Sequence, residues 1–150
     1  MRNRSGLTVD TTDRLAHLVK DAGKLFARAL QARLAERSIP YGHWTFLRIL
    51  WKRDGISQAE LSALAGVSAP STAAAVRSME KRGYIVRRQR RGNRKLIYIH
   101  LTPAGRALER KLNPLAIAVN AIATAGLSER EIAAFRNTLI SIIANLNGLQ

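Results

Sequence analysis

The chain has 150 residues, 47% of them hydrophobic, and sets 25 lysines and arginines against 10 aspartates and glutamates for a formal net charge of +15. That length and apolar content suit one domain with its own core and exclude disorder, while a pI near 11.6 makes a polyanion the expected partner. The absence of cysteine excludes disulfides, thiolate zinc sites and thiol redox sensing.

No apolar run reaches the length of a membrane span and the N-terminus lacks a signal-peptide core, so a cytoplasmic protein is expected. The first dozen residues are polar and basic. Thr11 or Thr12 is placed to cap a helix whose apolar positions step by three and four from Leu15 through Leu18, Val19, Ala22, Leu25, Phe26, Ala29 and Leu30 to Leu34. It should end near Arg37, before Ile39-Pro40. Pro40 to Arg53 holds a second helix, apolar around much of its girth through Trp44, Leu47, Ile49, Leu50 and Trp51, and so belongs in the core. Asp54-Gly55 stops it, and Ile56 can add a short strand beside a later hairpin.

Ser57-Gln58-Ala59-Glu60 reads as a capping box opening a short helix with Leu61, Leu64 and Ala65 on its apolar side, ended by Gly66. Ser68 caps the next helix and Pro70 sits where its missing N–H does no harm. This helix runs to Arg82 with Thr72, Ala75, Val76 and Met79 on one stripe, and Gly83 closes it. Two β-rich runs follow, 84–88 and 96–101, around an arginine-loaded tip spanning 89–95. Two short helices joined by a tight turn and followed by a hairpin make a winged helix-turn-helix.

Charge concentrates there. From Lys81 to Lys95 there are eight basic residues and no acidic one, a pattern that suits phosphate better than a solvated face of mixed sign. On the second helix of the pair, Ser68, Ala69, Ser71, Ala73, Ala74, Arg77 and Ser78 face away from the apolar stripe. Small residues let a helix approach base edges, and Arg77 is the one long donor among them. With Ser57 and Gln58 at the first helix and Arg88, Arg90, Arg91, Asn93, Arg94 and Lys95 in the wing, they are the candidate DNA contacts.

Thr102-Pro103 restarts helix, with Leu108, Leu112, Leu115, Val119 and Ile122 as its buried face and Pro114 expected to kink or divide it. Ser128-Glu129-Arg130-Glu131 is another capping box, opening a last helix with Ile132, Phe135, Leu139, Ile142, Ile143 and Leu146. The middle of the chain has its own small core, so these end helices need another surface. Packing on one another and on a second copy gives a two-fold homodimer suited to palindromic DNA. The expected architecture is mainly α with a small β-hairpin, one domain over 1–150. Its winged helix-turn-helix core occupies about 40–102, with dimerisation helices at about 11–37 and 103–149.

In that order and spacing, Trp44 to Leu50, Ser57 to Leu61, Gly66-Val67-Ser68, Met79 to Ile85 and Leu101 to Gly105 resemble the MarR family of winged-helix transcriptional regulators along nearly the whole chain. The pattern departs at the wing tip. Where the family carries Asp-x-Arg, this chain reads Asn93-Arg94-Lys95, which leaves either Arg94 or Lys95 to enter the minor groove.

The resemblance implies a sequence-specific regulator, a repressor that leaves its operator on binding a small effector such as an aromatic carboxylate or acyl-CoA. Candidate effector residues are His17, Tyr41, His43, Trp44, Arg48 and Trp51, which set aromatic faces beside one fixed cation. The competing reading is that Trp44 and Trp51 are core and the histidines lie on the surface. Three scattered histidines make no metal site, and there is no nucleophile–base pair or phosphate loop, so neither catalysis nor a cofactor is expected. The alternative is an architectural DNA- or RNA-binding protein without sequence preference. A membrane-surface protein is disfavoured because basic cluster and apolar stripes lie on different elements.

Overall fold

The computed structural model describes residues 10–149. Six helices and three strands follow in the order α1 (Leu15–Ala35), α2 (Tyr41–Lys52), β1 (Ile56–Ser57), α3 (Gln58–Ala65), α4 (Ala69–Lys81), β2 (Ile85–Arg90), β3 (Asn93–Leu101), α5 (Pro103–Ala123) and α6 (Glu129–Asn147). The sheet is antiparallel with order β1-β3-β2; Ile56 adds the short strand beside the wing that was expected, and its partner is Ile99.

The helix signals between residues 57 and 128 act where expected. Ser57, Ser68, Thr102 and Ser128 each accept a backbone N–H from the third residue on. Gly66 and Gly83 take the left-handed backbone that stops a helix, at φ +63 and +80. A capping box closes fully at Ser128–Glu131. At Ser57 only half of one forms, because the Glu60 carboxylate turns to Arg53 instead.

Several expectations need correcting. α1 begins at Arg14–Leu15 without a side-chain cap; Thr12 bonds back to the Asp10 carboxylate through its amide and hydroxyl, which holds it in a turn. Pro114 leaves α5 one continuous helix of 21 residues; it lies on the exposed side, where the carbonyl that loses its donor is not buried. The wing tip is two residues, not seven, because the strands extend to Arg90 and from Asn93. Gly92 supplies the left-handed turn at φ +86, and a bulge after Gln89 absorbs the extra residues.

A single buried cluster replaces the separate small core. Leu34, Phe46, Leu47, Leu50, Leu61, Val76, Met79, Ile85, Ile99 and Leu112 join the end of α1, the whole helix-turn-helix, the sheet and the first half of α5. Leu64 and Ile122 lie outside it and are exposed. Gly105 is the tightest point: a Cβ there would overlap the Tyr84 carbonyl, which already accepts the Thr102 N–H. This close approach seats α5 on the root of the wing. By contrast, α6 fully buries none of its side chains within the single chain.

Candidate nucleic-acid interface

α4 is held on α3 by a chain of hydroxyls. Fully buried Thr72 donates to Ser62 Oγ at 3.1 Å, and Ser62 donates to the Val67 carbonyl at 2.6 Å. With Val76 and Met79 also buried, the opposite side of α4 is fixed outward. Ser68, Ala69, Ser71, Ala74 and Arg77 are exposed there, and Ser78 and Ala73 are half-buried at its edges. Ser68 Oγ accepts the Ser71 N–H at 3.3 Å and keeps its own O–H free to donate.

Ser57 and Gln58 are drawn inward. Ser57 is half-buried and engaged as the cap of α3. Gln58 is also half-buried, and its buried Oε1 has no partner among the described residues. Beside it, a cavity of about 220 Å³ lies between α3, α4 and the wing and is lined by Gln58, Ser62, Thr72 and Lys95.

Arg88, Arg90, Arg91, Asn93, Arg94 and Lys95 are all exposed on the wing. The Arg90 guanidinium lies 4.0 Å over the Tyr98 ring, which pins it to the hairpin face. Asn93 Oδ1 accepts the Lys95 N–H at 3.2 Å, and Gln89 Nε2 donates to the Arg94 carbonyl at 3.1 Å. These bonds shape the tip of the wing. None of the five wing cations at 88, 90, 91, 94 and 95 forms an ion pair among the described residues. The pairs present there are Arg53–Glu60, Arg87–Glu80 and Arg106–Asp54.

Two contacts were not anticipated. Glu80, at the end of α4, takes both the backbone and the guanidinium of Arg87 in β2. Arg82 donates to the carbonyl of Ser38, a non-glycine residue at φ +57 in the α1–α2 connection. The position of Glu80, an acid immediately before an acid-free basic run, was the available signal for the first. Nothing local announces the second.

Of the six candidate effector residues, five lie on α2 and His17 lies on α1. His17 and Arg48 are exposed on α1 and α2. Trp44 is buried, its ring 5.6 Å from that of Trp51 in an edge-on arrangement, and Trp51 donates to the Gly105 carbonyl at 3.0 Å. His43, against the surface position expected of the histidines in the competing reading, is buried because it lies on the core-facing helix α2, and its Nδ1 is unpartnered among the described residues. Burial first, and the Arg82 charge second, hold its pKa below the ordinary value. Tyr41 lines a space of about 120 Å³ between α1 and α5. No group of three or more histidines and carboxylates among the described residues is placed to hold a metal. No helix among them is long and apolar enough to cross a membrane.

The MarR family model matches residues 39–97, the stretch that holds the helix-turn-helix and most of the wing. The HTH-type transcriptional regulator TtmR of Methylorubrum extorquens is 27% identical over 116 residues, 77% of this chain. Over residues 39–97 the chain is similar to the MarR family. The match to TtmR covers 60% of that relative's own length. Among solved structures, the MarR regulator of Listeria monocytogenes complexed with a 26mer DNA superposes with a TM-score of 0.80 at 20% identity, over 90% of each chain. CouR of Rhodococcus jostii, bound to p-coumaroyl-CoA, superposes with a TM-score of 0.76 at 20% identity, over 90% of this chain and 95% of its own. These MarR structures share the fold of this chain.

Proposed function

We propose that this chain is a MarR family transcriptional regulator that binds double-stranded DNA as a homodimer. α4 lies in the major groove and the wing reaches the adjacent minor groove. The observation that carries the reading is the surface of the helix-turn-helix. One exposed face of α4 is built from small residues with Arg77 as its long donor. Beside it stand five exposed wing cations without an ion pair among the described residues. Such cations meet phosphate with little lost by desolvating existing pairs, and arginine in the minor groove reads its width. The Listeria complex supports the same use of this fold.

Repression released by a small organic anion is the regulatory part of the proposal, supported by the acyl-CoA complex of CouR. The rival is a DNA or RNA coat without sequence preference, which the basic hairpin alone would also serve. The deciding experiment selects bound duplexes from a random pool and then titrates wild type and Arg77→Ala against the preferred and a scrambled duplex at fixed salt. Arg77→Ala should cost about 1–3 kcal/mol on the preferred duplex and relax one position per half-site, with half-sites about one helical turn or a multiple apart. Equal losses on both duplexes would leave Arg77 a phosphate contact, and a pool with no preferred duplex would favour the coat. Aromatic acids and their coenzyme A esters added to the bound complex test release.

A further inference from the structure

We infer that Glu80 is a positioning residue: its carboxylate locks the root of the wing to the last turn of α4 and withdraws Arg87 from the arginines that meet DNA. The inference rests on the DNA-binding reading and adds to it which acid sets the geometry of the two reading elements.

Glu80 is the penultimate residue of α4, and Arg87 is the third residue of β2. Glu80 Oε2 accepts the Arg87 backbone N–H at 3.1 Å; Oε1 accepts Nε at 3.1 Å and lies 3.1 Å from a terminal guanidinium nitrogen. One carboxylate therefore fixes both the backbone and the side chain of a residue in a neighbouring element. β2 is an edge strand, since β3 lies between it and β1. The Arg87 N–H would otherwise be an open donor of that edge.

Helix stability does not account for this carboxylate, because a negative charge in the last turn opposes the helix dipole. Fold stability does not account for it either, since pairs between part-exposed side chains contribute little. Geometry does. Between α4 and β2 the backbone turns at Gly83, at φ +80, a joint with no side chain of its own to fix the angle. Glu80 bridges the joint. Two elements reading adjacent grooves need their spacing held to a fraction of an ångström, which takes supporting contacts behind the residues that touch the ligand. The same contact explains why Arg87, inside the basic run from Lys81 to Lys95, differs from its neighbours: its charge is already met.

The test uses the opposite signs that charge and geometry predict. Glu80→Ala takes the formal charge from +15 to +16 by removing one negative group, and charge alone would tighten binding to every duplex. Positioning instead predicts about threefold or greater weakening on the preferred duplex, a coupling of ordinary size for residues in contact, with no loss on a scrambled one. Glu80→Gln, which keeps an acceptor for the Arg87 N–H, should recover part of that loss. Arg87→Ala should leave the salt dependence unchanged, whereas Arg91→Ala should lower its slope by about one unit. Equal tightening on both duplexes, or a lower slope for Arg87→Ala, overturns the inference. An arm without DNA separates it from the reading beneath it. Amide hydrogen exchange at Arg87 in the free protein should be slow in wild type and fast in Glu80→Ala. If no duplex binds wild type, the DNA reading fails and exchange alone decides, with unchanged exchange overturning the clamp.

Discussion

His43 is the polar side chain that the core accommodates least. It is 5% exposed, its Nδ1 has no partner among the described residues, and the Arg82 charge stands nearby. Burial disfavours the imidazolium first and Arg82 second, so the folded chain keeps His43 neutral below the ordinary pKa of 6.5. The unfolded chain takes up a proton at about that value. Stability from the neutral side chain is therefore complete above about pH 6.5 and is lost as the pH falls from there through the depressed folded pKa. Thermal melts at pH 7.5 and 5 should show a loss for wild type that His43→Phe largely removes. Identical losses in the two chains would place the acid sensitivity elsewhere. The residue's fate was partly legible: a helix apolar around its girth buries what it carries, yet nothing local says that no donor will reach Nδ1.

At the scale of elements, the wing departs most from its sequence. Gln89 to Lys95 is polar, basic and contains glycine, all properties of a long loop. Pairing across the hairpin overrides them: Arg88 opposes Tyr98, Gln89 opposes Ile97, and only Arg91 and Gly92 remain in the turn. Strand content here follows from the partner strand, which local propensity cannot see. The positions of the free charges follow from the same pairing. Arg90 rests on Tyr98 while Arg91 and Arg94 stay exposed near the tip. Replacing Arg91 and Arg94 together with alanine should weaken binding to all duplexes and lower the salt slope by about two units. An unchanged slope would mean that the tip stays in solvent when DNA is bound.

For the molecule as a whole, the exposed apolar side chains are the telling quantity. Many of them lie on the terminal helices, where Leu15, Val19, Ile117, Phe135, Ile143 and Leu146 are at least half exposed. α6 opens with a closed capping box yet fully buries no residue, with only Ile132, Leu139 and Ile142 half-buried, and a helix of this length is marginal in water without packing. A second copy presenting the same stripes is the economical cover, consistent with the proposed two-fold arrangement. Phe135→Glu with Ile143→Glu should yield a monomer by sedimentation, and deletion of 127–150 a monomer or an insoluble product. A soluble deletion that still sediments as a dimer would move the interface off α6.

What the sequence determined by itself is whatever short range decides. Serine and threonine caps at residues 57, 68, 102 and 128, glycine stops at 66 and 83, the helical stripes and the basic run are each written within a few residues, because capping and periodicity act over one or two turns. With them came the order of elements and the face of α4 that looks outward. Only the tertiary structure decided what depends on residues distant in sequence. Trp51 went to the Gly105 carbonyl and Asp54 to Arg106 and the Leu101 amide, while Arg82 reached across to the Ser38 carbonyl. Of the proposed effector residues on α2, Trp44 went into the core against Trp51 while Arg48 stayed outside. A side chain's partner is set by which elements the shared core draws together, and no spacing along the chain encodes that distance.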